Sequence, residues 1–351
     1  MLLRIFVLLL LSSSAFANSA RTVTIAAVGD IMMGTNYPQD VLPADGGINL
    51  FKYTKEYIQA ADLRLGNLEG VLFDGEKSYD SKADGTNRYL FRTPTAWGRW
   101  LADAGFNFLS LANNHSRDFG TDGIASTKDI LRRHRIQYAA KDPQEIGDFN
   151  IRGIRIAVIA VDYYAGARSI TTPSSTYKEI RELRKKFDIV IVSAHAGAEG
   201  KGADRTTDKD EVYLGENRGN AVKFARTAIE MGASFIVMHG PHVPRGLEIY
   251  NNKLIVYSLG NFLTSRGMNV QGLAGIAPLL RAQLNEKGDF VSGHIGSFRQ
   301  TREYTSTIFD QGQKALHIIR ELSEKDFPLS SPRFDLRSGK FYPRIDQQNL
   351  F

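Results

Sequence analysis

Short apolar runs alternate with longer, charged stretches along most of this chain. The apolar runs are rich in Val, Ile, Leu and Ala, and most are about four to eight residues long, which is the length of strands rather than helices. Apolar strands interleaved with helical stretches predict an α/β fold built on parallel strands. The predicted strands are 22–28, 62–69, 106–111, 136–139, 154–161, 188–194, 234–238, 247–250 and 253–259.

The stretches between these strands are charged and carry helix-start signals, such as Pro94 at a first turn. The predicted helices are 51–61, 93–104, 122–134, 177–186, 220–231 and 311–324. Residues 277–297 alternate like antiparallel strands, and the residues after 324 are predicted to be irregular. The polar stretches 73–87 and 200–216 are predicted to be surface loops at the rim of a site.

Polar side chains that can bind a metal follow five of the predicted strands. In an open α/β sheet the carboxyl ends of the strands share one crevice, where ligands bind. Taken singly, each residue has an ordinary alternative, such as a helix cap, a turn or a solvated histidine. Their shared position at strand ends favours one common site. The residues are Asp30, Glu69, Asn114, His115, His195, His239 and His242.

The pair His239 and His242 flanks Gly240 and Pro241 directly after an apolar run. Gly and Pro make the kind of turn that lets both imidazoles converge on one point. Imidazole is the commonest metal ligand in proteins, so the pair predicts a metal site. The alternative is a strand-end loop with two solvated histidines.

The composition restricts the chemistry of such a site. The chain has 351 residues and no cysteine, which excludes a thiolate metal site, a cysteine nucleophile and a disulfide framework. The ligands must be imidazole, carboxylate and amide oxygen, a set that suits Zn, Mn, Fe, Mg or Ca. Two carboxylates, one asparagine and three histidines are enough for two ions bridged by one carboxylate, as in sites that catalyse in-line displacement.

The net charge of +6 is compatible with an anionic partner such as a nucleic acid, an acidic polymer or a membrane surface. The basic residues are scattered, however, and the densest cluster, 181–186, is typical of the solvated face of a helix. We therefore expect no nucleic-acid partner.

The first residues predict export. Arg4 precedes the apolar run 5–11, a serine-rich segment and the small-x-small sequence 15–17. This order is typical of a cleaved signal peptide, here residues 1–17, and the apolar run is short for a membrane span. The mature chain would then begin near Asn18, in the periplasm or outside the cell. An uncleaved N-terminal membrane anchor is the alternative.

Six motifs, in this order, resemble the capsule-synthesis (CapA/PgsA, poly-gamma-glutamate) branch of the calcineurin-like metallophosphoesterase superfamily. They are 29–34 (GDIMMG), 67–69 (NLE), 112–115 (ANNH), 195–199 (HAGAE), 239–242 (HGPH) and 257–262 (YSLGNF). The resemblance implies a four-layer α/β/β/α sandwich with mixed central sheets. The match covers about residues 22 to 265. We predict one such domain over residues 21–300, with a C-terminal helix and irregular tail, 301–351, packed on it.

The same resemblance implies roles for the predicted site residues. Asp30 and His242 would bind a first metal ion, and Glu69 would bridge two ions. The second ion would be held by Asn114, His195 and His239. His115 would act as the catalytic residue that protonates a leaving group or stabilises the transition state, oriented by Asp118. Arg117 and Glu199 are assigned to substrate binding.

One departure from the family pattern bears on function. Metallophosphoesterases usually place a histidine two residues after the first aspartate, where this chain has Met32, so the first ion has fewer ligands. We expect an exported hydrolase that uses two ions of Mn, Zn, Fe or Mg. Its substrate would be an anionic envelope polymer or peptide such as poly-gamma-glutamate, cleaved at a phosphoester or amide bond.

Two alternatives remain open. One is a non-catalytic component of the capsule or polymer synthesis machinery at the membrane. The other is a periplasmic protein that binds a small ligand.

Overall fold

The computed structural model describes residues 21–76, 89–200, 202–264 and 267–344. The predicted signal peptide and most of the predicted loop 73–87 lie outside the described residues. The strands, numbered along the chain, are β1 (Thr22–Ile31), β2 (Leu63–Leu68), β3 (Val71–Leu72), β4 (Arg92–Thr93), β5 (Phe108–Ser110), β6 (Gln137–Ala139), β7 (Gly147–Ile151), β8 (Ile154–Asp162), β9 (Ile189–His195), β10 (Glu211–Tyr213), β11 (Glu216–Gly219), β12 (Phe235–His239), β13 (Leu247–Tyr250), β14 (Lys253–Val256), β15 (Asn261–Leu263), β16 (Ile276–Asn285), β17 (Phe290–Arg299), β18 (Ile308–Phe309), β19 (Arg333–Asp335) and β20 (Lys340–Tyr342).

The helices follow most of the predicted strands and cross over to the next. They are α1 (Lys55–Gln59), α2 (Gly98–Ala104), α3 (Gly120–Arg133), α4 (Ser174–Arg184), α5 (Ala221–Glu230) and α6 (Lys314–Asp326), with short 3-10 turns at Thr95–Trp97 and Gly272–Gly275. Within the described part of the chain, no helix is long and apolar enough to cross a membrane.

The larger sheet has the strand order β19-β20-β17-β16-β1-β2-β5-β6, and β15 and β18 pair with β1 and β17. Strands β1, β2, β5 and β6 run parallel, because α1, α2 and α3 connect them by crossovers. Strand β16 pairs with β1 in the antiparallel direction and continues into the β16–β17 hairpin, which bears out the alternation predicted for residues 277–297.

The second sheet has the order β13-β14-β12-β9-β8-β7. Its four central strands run parallel, while β7 and β13 are antiparallel edge strands. Every residue of β9 is buried, which is expected for a parallel strand covered on both faces.

Three apolar clusters define the layers of the domain. One cluster lies between the two sheets and joins side chains such as Leu65 and Phe108 of the first sheet to Ile191 and Val237 of the second. A second cluster covers the outer face of the first sheet with α1, α2 and α3, and a third covers the second sheet with α4 and α5. The predicted four-layer α/β/β/α sandwich with mixed central sheets is therefore confirmed.

The C-terminal segment contains the predicted helix 311–324 as α6, but the residues after it do not form an irregular tail. Helix α6 inserts Ala315, Leu316 and Ile319 into the core between the sheets. Strand β20 then pairs with β17, and β19 pairs with β20, so residues 333–342 extend the larger sheet. These strands are three residues long, too short for alternation to be visible in the sequence, and the buried ring of Phe341 fixes them.

Two other elements also differ from their predictions. The stretch predicted as helix 51–61 is helical only at Lys55–Gln59. The predicted rim loop 200–216 contains β10, which pairs with β11 in a small antiparallel hairpin. The sequence does not predict this hairpin, because the stretch is rich in Gly and charged residues and lacks the apolar alternation of a half-buried strand.

Candidate metal centre

The ends of β1 and β2 bring two carboxylates to one edge of the larger sheet. Asp30 lies opposite Asn67 in the parallel pairing, and Glu69 follows two residues later. Both carboxylates are fully buried. Gly29 is required here, because a Cβ at that position would lie 1.8 Å from the carbonyl oxygen of Gly260. This close approach seats β15 beside Asp30.

The ends of β9 and β12 bring two imidazoles to the corresponding edge of the second sheet. His195 and His239 are register partners in adjacent parallel strands, and both are almost fully buried. Nδ1 of His239 lies 3.6 Å from Oδ1 of Asp30. The polar ends of the two sheets therefore face each other across the sandwich.

Three of the predicted ligands form a compact metal-type cluster. Asp30, Glu69 and His195 each offer one ligand atom, and these atoms lie within 4.8 Å of one another. The members come from strand ends of both sheets, so the cluster exists only because the sheets pack in this orientation.

The buried nitrogens of this cluster fit a metal ion. Neither ring nitrogen of His195 or His239 has a hydrogen-bond partner among the described residues, and the same holds for Oδ1 of Asn114. Buried polar atoms without partners are rare in folded proteins. Burial lowers the pKa of His195 well below its usual value and that of His239 to about 4. Both rings are therefore neutral near pH 7 and present lone pairs, which is the state a metal requires.

His242 makes a different set of contacts. Its backbone is in the left-handed region, with φ of 59°, a strained conformation for a side chain of this size. Nδ1 lies 3.0 Å from Oδ2 of Asp30 and 3.1 Å from Oδ1 of Asn261. Nε2 points toward Glu69 and Glu199, at 3.8 and 3.7 Å from their nearest oxygens.

The charges around His242 determine its protonation. Burial alone would lower the pKa of His242, but the carboxylates of Glu69, Asp30 and Glu199 outweigh burial and raise it to about 10. Burial alone would raise the pKa of Asp30. The hydrogen bond with His242 and the neighbouring imidazoles outweigh burial and lower this pKa below its usual value. Without an ion, His242 and Asp30 form a charged pair.

The predicted catalytic residue, His115, lines the same cavity as His242. Its Nδ1 is 2.8 Å from Oδ2 of Asp118, which is the contact predicted from the motif. The same oxygen accepts the backbone N–H of Phe91 at 2.6 Å, and the Phe91 ring packs on the imidazole at 4.4 Å. The carboxylate favours the tautomer with the proton on Nδ1, which places a lone pair on Nε2.

A chain of amide side chains connects Asp30 of the metal-type cluster to His115. Asn67 donates to Asp30 at 2.8 Å, and Asn113 donates to Asn67 at 2.8 Å. Oδ1 of Asn113 accepts the backbone N–H of His115 at 3.0 Å. Both amides lie inside the sequence motifs, but neither has a metal-ligand or acid–base function that would single it out.

Three further residues singled out in the sequence, Glu199, Arg117 and Met32, differ in their exposure and in whether they line the cavity beside the cluster. Glu199 lines the cavity beside the cluster. Arg117 is exposed and is absent from the described lining of that cavity. Met32 is buried, and its sulfur accepts the backbone N–H of Gly34 at 3.2 Å.

The cavity has a volume of about 750 Å³, which is enough for part of a polymer or a small ligand. His115 and His242 are among the residues that line it. Its described walls combine aromatic and apolar residues with amides, and they include Tyr89, Phe91, Tyr213, Met268, Asn261 and Gln271. The candidate metal centre therefore opens to a space that a substrate can enter.

Two nucleotidases are among the solved structures to which this chain shows similarity. The chain is similar to the NAD nucleotidase NadN of Haemophilus influenzae, with a TM-score of 0.43 and 12% identity over 84% of this chain and 55% of that one. It is also similar to a 5'-nucleotidase precursor of Thermus thermophilus, with a TM-score of 0.44 and 14% identity over 86% of this chain and 59% of that one.

Sequence relatives are more informative. The capsule biosynthesis protein CapA of Bacillus anthracis is 29% identical over 265 residues, which cover 70% of this chain and 60% of the relative. The PGA biosynthesis protein CapA of Bacillus subtilis strain 168 is 30% identical over 256 residues, covering 68% and 63%. The chain thus spans about three-fifths of the length of these relatives. The family described as bacterial capsule synthesis protein PGA_cap matches residues 24–266, which include all six motifs, and the chain belongs to that family.

Proposed function

We propose that this protein is an exported, metal-dependent hydrolase that acts on an anionic polymer of the cell envelope in capsule biosynthesis. The observation that carries the proposal is the buried cluster of Asp30, Glu69 and His195 beside the His115–Asp118 pair. A metal-type cluster, an oriented imidazole and a cavity are the three parts that a hydrolytic site needs.

The ion is assigned to residues whose atoms fit it. Asp30, Glu69 and His195 form the centre, and His239 and Asn114 add ligand atoms that otherwise lack a partner in the described structure. A divalent ion bound there supplies Lewis-acid chemistry that polarises a phosphoryl or carbonyl oxygen. We propose two ions of Mn, Zn, Fe or Mg.

The protein's own residues handle the proton and the substrate. His115 is the group that transfers a proton at Nε2, and the Asp118 carboxylate holds its ring through Nδ1. The Phe91 ring covers one face of this imidazole and shields it from water. The polymer segment would lie in the cavity above His115, so that the scissile bond reaches both the imidazole and the ion.

Other observations support the proposed polymer substrate and the proposed export. The relatives from the two Bacillus species carry names that place them in capsule and PGA biosynthesis. The N-terminal sequence has the pattern of a signal peptide, and the net charge of +6 suits an anionic polymer.

The test uses the purified chain from Asn18 onward. Metal content is measured first, and the protein is then screened with a generic phosphoester and a gamma-glutamyl peptide. We expect bound metal and turnover of one substrate, with loss of turnover in His115→Ala and Glu69→Gln. The control is His317→Ala, because His317 is exposed on α6. Metal-free, inert protein would overturn the hydrolase proposal.

A non-catalytic role in polymer synthesis or export is the second candidate. The observation that favours it is Met32, whose sulfur is engaged by the backbone of Gly34 and cannot serve a hard ion. This role predicts that the protein binds poly-gamma-glutamate without cleaving it. Binding and turnover measured on the same sample separate the two functions.

A further inference from the structure

The ligand set of the first ion is incomplete if Met32 is its only remaining candidate side chain. Asp30, Glu69 and His242 are assigned to this ion, and the thioether of Met32 is a poor ligand for Mn, Zn or Mg. The contacts of His242 indicate which side chain completes the set.

The orientation of His242 follows from its neighbours. Nδ1 faces two oxygens, Oδ2 of Asp30 and Oδ1 of Asn261. The amide of Asn261 is fixed because its Nδ2 donates to the backbone oxygens of Asn269 and Ala274. Nδ1 must therefore carry the proton that it donates. Histidines that bind metals commonly donate the second ring N–H to a carboxylate or carbonyl in this way, so Nε2 is the ligand atom.

Nε2 of His242 faces two carboxylates. It lies 3.8 Å from Oε1 of Glu69 and 3.7 Å from Oε2 of Glu199. Both distances are too long for hydrogen bonds. They are close to the spacing of about 3.4 Å between two ligand atoms that share one tetrahedral ion with bonds of about 2.1 Å. Glu199 therefore lies at nearly the same distance from Nε2 as Glu69, the proposed bridging carboxylate.

Arg218 holds Glu199 in this position. Its Nη1 lies 3.3 Å from Oε1 of Glu199, the oxygen that does not face His242. The guanidinium is nearly buried and lies over the rings of Tyr163 and Tyr213, at 4.2 and 5.3 Å from their centroids. Carboxylates that bind metals are themselves usually held by hydrogen bonds from a second group. Arg218 has that relation to Glu199.

The loop that carries Glu199 is also anchored. The backbone N–H of Ala198 donates to Glu211 at 2.8 Å, and Glu211 forms a two-contact ion pair with the fully buried Arg245. Glu199 is therefore placed by the fold, although a fifth of its side chain is exposed to the cavity.

We infer that Glu199 is a metal ligand that completes the first site together with Glu69 and Nε2 of His242, and that Arg218 is its positioning residue. Asp30 then accepts the Nδ1 proton of His242 and belongs with Glu69 and His195 at the other ion. This inference rests on the metal dependence of the proposed function, but not on hydrolysis. It replaces the substrate-binding role predicted for Glu199 from its motif.

The experiment measures Mn²⁺ binding by the full mature chain, with calorimetry for affinity and electron paramagnetic resonance for the number of neighbouring ions. We expect two ions in the wild type, with the spectrum of a coupled pair. Glu199→Gln should retain one ion with an uncoupled spectrum, and its affinity for the other should fall at least tenfold. Arg218→Lys should weaken the same ion by about 10–100-fold.

Glu216→Gln is the matched control. Glu216 also pairs with Arg218, at 3.2 Å, but its side chain is more exposed. The Glu216→Gln variant should bind both ions with wild-type affinity. If Glu199→Gln does not fold, Glu199→Ala and Arg218→Lys test the same site.

The outcomes separate this inference from the proposed function. A wild type that binds one ion, or a Glu199→Gln variant with two ions at unchanged affinity, overturns the inference, whether or not the protein hydrolyses a substrate. Two ions that depend on Glu199 in a protein without turnover support the inference and contradict the hydrolase proposal.

Discussion

The buried imidazole of His239 predicts that the order of stability between wild type and variant reverses when metal is added. His239 is almost fully buried, and neither of its ring nitrogens has a hydrogen-bond partner in the described structure. Each unsatisfied buried polar group costs about 1–3 kcal/mol. Replacing this side chain with leucine, which has a similar volume, should therefore stabilise the metal-free protein by at least about 2 kcal/mol.

The expected shifts in melting temperature follow from the size of the protein. With an unfolding entropy of about 2.1 cal/mol/K per residue over roughly 330 residues, 1 kcal/mol corresponds to about 1.4 °C. His239→Leu should thus melt about 3 °C or more above the wild type in a chelator. An ion at a thousandfold excess over its Kd stabilises the wild type by about 4.1 kcal/mol, or about 6 °C. The variant, which lacks a ligand, should gain little, so the order of stability reverses.

The assay is thermal unfolding in a chelator and in excess Mn²⁺ or Zn²⁺, followed by circular dichroism. His317→Leu serves as the control, since His317 is exposed and should match the wild type in both conditions. A variant that melts several degrees below the wild type in the chelator would show that the His239 ring makes stabilising contacts. Equal gains on adding metal to both proteins would show that His239 is not a ligand.

Three further predictions concern residues around the site and in the core. Asp118→Asn should lower kcat by about 10²–10⁴ with unchanged metal content, because an amide holds His115 in the wrong tautomer; steady-state kinetics with metal analysis check this. Arg245→Met should lower the free energy of unfolding in urea by about 3–5 kcal/mol, because it leaves the Glu211 carboxylate buried without its partner. Burial, with Arg281 and Lys340, lowers the pKa of His294, so the folded protein binds fewer protons than the unfolded chain below pH 6.5. Stability should therefore fall from pH 6.5 downward more steeply in the wild type than in His294→Gln, as urea unfolding at pH 7 and pH 5 would show.

The sequence predicts the strands of this fold better than its short elements. Strands such as β9 are continuous apolar runs, so length and composition identify them. The β10–β11 hairpin and β19–β20 lack such a signal, because they are held by contacts distant in sequence. For β10–β11 the contact is the ion pair between Glu211 and Arg245, and for β20 it is the packing of Phe341.

In the candidate site, too, the features set by the local sequence could be predicted, and those set by contacts distant in sequence could not. Residues at strand ends could be assigned to one site because parallel strands share an edge. Arg218 could not be found in this way, since its contact with Glu199 depends on how the hairpin folds back over the second sheet. The tautomer of His242 also needs the structure, because it is set by Asp30 on β1 and Asn261 on β15, both distant in sequence.

The division of the proposed ligands between the two sheets would tie metal binding to the packing of the whole domain. Asp30 and Glu69 belong to the larger sheet, and His195 and His239 to the second. An apolar core lies between the same two sheets, and it would not by itself fix the relative position of their ends to within a few ångströms. The 3.6 Å approach of His239 to Asp30 is a contact between sheets, and in a metal-free protein it joins a carboxylate to a neutral ring. An ion bound there would replace this weak contact with bonds to both layers. Stability of the sandwich and competence of the site are therefore expected to rise together.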